Sequence, residues 1–98
     1  MNYAILFEDD EKHADKRRQY MPAHLAFLDS NAARISADGP LSDSADGKAA
    51  GGLWLVTADS PQEARDLVEA DPFWPTGLRK SVRILLWTQV FAAGKRKI

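Results

Sequence analysis

Gly51-Gly52-Leu53-Trp54-Leu55-Val56-Thr57-Ala58-Asp59-Ser60-Pro61-Gln62-Glu63-Ala64-Arg65-Asp66-Leu67-Val68-Glu69-Ala70-Asp71-Pro72 carries two consecutive structural signals, and the fold can be read outward from them. Over 51–57 the chain alternates Leu53 and Leu55 with Trp54 and Val56, so a strand here is apolar on both faces. Ser60 then supplies a side-chain acceptor for the free amides of a helix start. Pro61 suits the first helical position, and Glu63 completes a capping box. Ala64, Leu67 and Val68 give that helix its apolar stripe. It must end near Ala70, because Asp71 precedes Pro72 and is biased to extended angles.

Working backward, residues 42–50 are small and polar and read as a hairpin loop, with a short strand over 34–41 before it. A helical region is expected over 11–33, with Met21, Leu25, Leu28 and Ala32 as its buried stripe. Pro22 should kink this region or restart it, leaving the better-packed helix over 22–31. On that wheel His24 falls on a flanking stripe with Tyr20 and Phe27, a border position. Residues 2–8 form the first strand, with Tyr3, Ile5 and Phe7 on one side and Ala4 and Leu6 on the other. Working forward, 72–80 is a loop with Phe73 and Trp74, and 81–91 is the last strand. A single domain is expected over 1–92, with 93–98 a basic, flexible tail.

The order is βαββαβ, an α+β, ferredoxin-like arrangement: a four-stranded antiparallel sheet with two helices on one face. Two helices cover only one face, so Trp54, Val56, Leu85 and Trp87 are expected on an open apolar face. This predicts a homodimer that buries it, a dimeric α+β barrel-like unit.

Composition narrows the chemistry. With 98 residues the chain has room for one core. No cysteine is present, so disulfides, cysteine-ligated metals and thiol nucleophiles are excluded. Thirteen basic residues against 14 acidic ones leave no electrostatic footprint for nucleic acid beyond Arg17-Arg18 and Lys95-Arg96-Lys97. No apolar run approaches membrane-spanning length and no signal peptide is recognisable, so a cytoplasmic protein is expected. His13 beside Asp9, Asp10 and Asp15 reads as a hydrated helix start rather than a metal site. No phosphate loop or serine-nucleophile elbow occurs, and no cofactor is expected.

Two residues remain. An imidazole at the border of a helix can face a cleft and titrates near neutral pH, so His24 suits acid–base work, although a structural histidine bonded to a carbonyl has the same spacing. Asp71 sits past a helix C-terminus, where the helix dipole disfavours a carboxylate and a cationic partner is wanted. An ordinary Asp-Pro turn reads the same way.

Several segments in order resemble the YCII-related family: Pro22-Ala23-His24-Leu25-Ala26-Phe27-Leu28, Asp38-Gly39-Pro40-Leu41, Gly51-Gly52, Ser60-Pro61-Gln62-Glu63-Ala64, Ala70-Asp71-Pro72-Phe73 and Gly77-Leu78. Val82-Arg83-Ile84-Leu85-Leu86-Trp87 also fits, so the resemblance runs from about Met1 to Trp87. The hydrophilic stretch before Pro22 and the tail Gly94–Ile98 depart from the pattern. The resemblance implies a dimeric ferredoxin-like domain with an active site around a histidine–aspartate pair, matching His24 and Asp71 here. Tyr20, Ser36, Gly39, Pro40 and Phe73 are implied near the pocket as substrate-binding positions. The expected function is therefore a cofactor-independent enzyme acting on a small cyclic or aromatic molecule, by elimination or isomerisation. The alternatives are a non-catalytic small-molecule-binding or accessory module and, more remotely, a protein–protein adaptor.

Overall fold

The computed structural model describes Met1–Ile98. Its main elements are β1 (Asn2–Asp9), α1 (Asp15–Ser30), β2 (Ile35–Ser42), β3 (Ala49–Thr57), α2 (Pro61–Ala70) and β4 (Arg79–Leu86). Short 3-10 turns occupy Glu11–His13 and Trp74–Thr76. The sheet order is β2-β3-β1-β4 with every neighbour antiparallel, which is the ferredoxin-like βαββαβ topology.

One face of the sheet meets the helices. Tyr3, Ile5 and Phe7 of β1 and Trp54 and Val56 of β3 are buried there with Ala64, Leu67 and Val68 of α2. Each buried Leu or Val of α2 contributes roughly 1.5–3 kcal/mol through the water it sheds. The capping signal has its expected effect: Ser60 Oγ accepts from the Glu63 amide at 3.1 Å, and Glu63 reaches back to the Asp59 amide.

Three expectations change. Trp54 and Val56 lie under the helices, 0% and 2% exposed, not on the open face. Because Tyr3, Ile5 and Phe7 take the helix side of β1, antiparallel pairing puts Val56 and Trp54 beside them. The open face instead carries Ala4, Leu6, Leu53, Leu55 and Leu85, cross-strand neighbours on the opposite pleat. Second, α1 runs unbroken through Pro22. Pro22 and Arg18, the residue whose carbonyl loses its intrahelical donor there, are both exposed, so water can satisfy the freed group. Third, α1 is rotated relative to the expected stripe. Met21, Leu25 and Ala32 are exposed, Leu28 is half-buried, and His24 is the one fully buried residue of the helix.

Beyond β4, β5 (Phe91–Ala92) and β6 (Lys95–Arg96) pair as a two-stranded ribbon. Its tip is Ala93-Gly94, both with positive φ (52° and 75°), the geometry of a tight hairpin turn. The basic segment expected as a flexible tail thus begins in this turn and is hydrogen-bonded through Lys97 N to Val90 O. No helix is long and apolar enough to cross a membrane.

Candidate active site

His24 projects from α1 into the helix side of the sheet and is held between two carboxylates. Its Nδ1 lies 2.7 Å from Asp71 Oδ1, and its Nε2 lies 2.5 Å from Asp38 Oδ2. A neutral imidazole has one N–H and one lone pair, so it can donate to only one of two anionic acceptors. Contact with both calls for a proton in each hydrogen bond, which makes imidazolium between two carboxylates the natural resting form. Burial works against that charge. The hydrogen bonds to Asp38 and Asp71, and their negative charges, outweigh it and raise the His24 pKa from 6.5 to about 9.

Each carboxylate arrives by a different route. Asp71 caps the C-terminal end of α2 in an extended conformation, where its Oδ1 also accepts from the Phe73 amide at 3.2 Å. It is 2% exposed, and the cation that a carboxylate at a helix C-terminus wants is supplied by His24. Asp38 stands on the edge strand β2. Its backbone is open to solvent, but its side chain turns inward and is only 14% exposed.

A second cation completes the buried arrangement. Arg79 Nη1 lies 3.0 Å from Asp9 Oδ1, and Arg79 Nη2 lies 3.8 Å from Asp71 Oδ2. The guanidinium sits over the Phe7 ring at 4.1 Å and near Phe73 at 5.3 Å, and Phe73 stacks on His24 at 4.3 Å between centroids. Arg17 pairs with the second oxygen of Asp9 at 3.1 Å. Charges of alternating sign therefore run Arg17, Asp9, Arg79, Asp71, His24, Asp38.

A cavity of about 170 Å³ opens onto this row. It is bounded by His24, Asp38, Phe73 and Arg79, with Arg17 at its polar side and Met21, Leu25 and Leu28 as an apolar rim. The exposed stripe of α1 is thus the lip of a cavity. Pockets for drug-sized ligands span roughly 300–1,000 Å³, so this one is scaled to a single ring. A wider depression of about 470 Å³ near Leu6, Glu8 and Arg83 contains neither His24 nor Asp71.

Two glycines of β3 at the cavity wall permit close approaches. Gly51 has φ +90°, and a Cβ there would fall 2.0 Å from the Phe7 carbonyl oxygen. Gly52, on the helix face of β3, leaves space for the Arg79 guanidinium, whose Nη1 would lie 3.6 Å from an added Cβ.

Of the residues expected at the site, His24 and Asp71 are hydrogen-bonded, and Gly39, Pro40 and Phe73 line the cavity. Tyr20 and Ser36 are not in its wall; Ser36 instead bonds the Leu55 carbonyl at 3.2 Å from an exposed position. The sequence reading gives Asp38, Asp9 and Arg17 no role at this site and does not single out Arg79. The one cue in the sequence is that Asp38 directly precedes Gly39-Pro40, which line the cavity.

A family model, the YCII-related domain, matches residues 1–88. No curated protein matches the chain. Among solved structures, the chain is similar to 5-chloro-2-hydroxyhydroquinone dehydrochlorinase (TftG) from Burkholderia phenoliruptrix AC1100, in complex with 2,5-dihydroxybenzoquinone. The identity is 28% and the TM-score 0.78, over 90% of this chain and 94% of that one.

Proposed function

This chain belongs to the YCII-related family, and we propose that it is a cofactor-independent enzyme that eliminates or moves a proton on a small hydroxylated ring. The observation that carries this reading is the His24 Nε2···Asp38 Oδ2 pair at the wall of a ring-sized cavity. One imidazolium acid and one carboxylate base are presented to the same space, while Asp71 holds the other ring nitrogen. The similarity to a dehydrochlorinase of an aromatic compound supports elimination of a hydrogen halide as the first reaction to test.

In that reaction the Asp38 carboxylate takes a proton from the substrate. The electron pair released forms a new double bond, and halide leaves with the electrons of the carbon–halogen bond. As Asp38 is neutralised, the positive charge of the imidazolium beside it stabilises the negative charge that develops on the substrate, and Asp38 then passes its proton to water. Asp71 keeps the imidazole in one orientation, so the acid need not reorganise during the step. A second copy of the chain, seated on the open sheet face, is proposed as the partner that covers Leu53, Leu55 and Leu85.

The test is chloride release from 5-chloro-2-hydroxyhydroquinone. The wild-type protein should release chloride, and Asp38→Asn and His24→Gln should each lower kcat by roughly 10²–10⁴-fold, the usual worth of a positioned acid or base. Asp71→Asn, which frees the imidazole to turn, should lower it as well. Wild-type binding of 2,5-dihydroxybenzoquinone with no turnover, unaffected by His24→Gln, would replace this reading with a non-catalytic binding module.

A further inference from the structure

Arg79 is the least expected member of the site. A buried arginine is retained at a large desolvation cost unless its donors are used, and here the use is specific. Its side chain is 7% exposed, and its two terminal nitrogens point to different carboxylates, Asp9 on β1 and Asp71 beyond α2. The guanidinium carbon lies over the Phe7 ring and near that of Phe73. Its Nε is buried with no partner. The guanidinium is therefore fixed by its two ends and by ring contacts rather than by saturating every donor.

Its place on the helix side is itself built. In β4, Ser81 opposes Glu8 while Arg79 opposes Asp9, so Lys80 is an extra, bulged residue. Strict alternation would put Arg79 on the open face with Ser81 and Arg83. The bulge reverses that and aims it beneath Asp71.

We propose that Arg79 is a positioning residue: by bridging Asp9 and Asp71 it fixes how the Asp71 carboxylate meets His24 and draws off part of its negative charge. Asp71 Oδ1 faces the imidazole and Oδ2 faces Arg79, so the two cations share one anion. The charged groups around His24 are then Asp38 from β2, Asp71 after α2, Arg79 from β4, Asp9 from β1 and Arg17 from α1 itself. An Asp71 fully available to His24 would bind the imidazolium more strongly. Arg79 keeps Asp71 from neutralising the imidazolium fully, so that more of its positive charge is left to act on the substrate. This deepens the acid–base reading of the site, but its test needs no substrate, so the two can fail separately.

The experiment is the His24 imidazole titration, followed by NMR in folded Arg79→Met, which removes the guanidinium and keeps an apolar side chain of similar length. The titration should move above its wild-type position. In an Asp71→Asn background the same substitution should leave it nearly unmoved, because the route through Asp71 is gone. Arg79→Lys keeps the charge but cannot span both carboxylates, so it should also shift the titration upward, by less; it serves if Arg79→Met does not fold. An unchanged titration in both variants would overturn the proposal. So would a fall towards 6.5, which would make Arg79 a structural prop whose loss dismantles the pair, or a shift that survives in Asp71→Asn.

Discussion

Ile35 and Asp38 are three residues apart on β2 yet project to the same face of the sheet. Ile35 pairs with Val56 and Asp38 with Trp54, and a register shift between Ile35 and Ala37 leaves Ser36 as an extra residue. In an unbroken strand, residues an odd number apart point to opposite faces. The Ser36 bulge removes that conflict, so Ile35 enters the core while Asp38 reaches His24 on the same side. The Lys80 bulge does the same for Arg79 relative to Val82 and Ile84. Two irregularities, one in each edge strand of the four-stranded sheet, thus bring an anion and a cation to one histidine.

The charge state of His24 links the site to stability. Its folded pKa of about 9 lies above the ordinary 6.5. A group raised on folding binds its proton more tightly in the folded state, so its contribution is full below about pH 6.5 and is lost as pH rises through 9. Thermal unfolding should therefore show a Tm that falls between pH 6.5 and 9.5. His24→Gln should flatten that slope, and a wild-type Tm level across this range would contradict the assignment.

Asp38 and Asp71 both hold the proton on His24, and neither substitution should be silent. Asp38→Asn and Asp71→Asn are each expected to bring the imidazole titration down from about 9. NMR titration of the two folded variants checks this, and a titration unmoved by Asp38→Asn would mean that the contact with Nε2 does not persist in solution.

Gly51 has no tolerance for a side chain. A methyl group would meet the Phe7 carbonyl oxygen at 2.0 Å, at a φ of +90° that L residues avoid. Gly51→Ala should cost at least ~1–3 kcal/mol, the range for a residue forced into a sparse backbone region. Urea unfolding should register this as a lower midpoint at an unchanged slope.

The open sheet face presents Leu53, Leu55 and Leu85 with no helix over them. If a second copy covers it, wild-type protein should sediment as a dimer at micromolar concentration, and Leu53→Lys should shift it to a folded monomer. A wild-type monomer under those conditions would remove the dimer from the proposal.

The sequence by itself determined the order of elements, because that order depends on local physics. Ser60-Pro61-Gln62-Glu63 caps α2 whatever lies around it, and the alternation in β1 and β3 specifies strands apolar on both faces. Asp71 was legible for the same reason: a carboxylate past a helix C-terminus needs a cation wherever the helix docks. The rotation of α1 was not legible, since its apolar Met21 and Leu25 became the rim of a cavity and the polar His24 went inside. Burying an imidazole is favourable only once Asp38 and Asp71 are both in place, and they come from segments 14 and 47 residues away. Asp38 and Arg79 were hidden more deeply. Their inward aim depends on bulges at Ser36 and Lys80, and a bulge is a decision of strand pairing that the period of two in a single strand does not record.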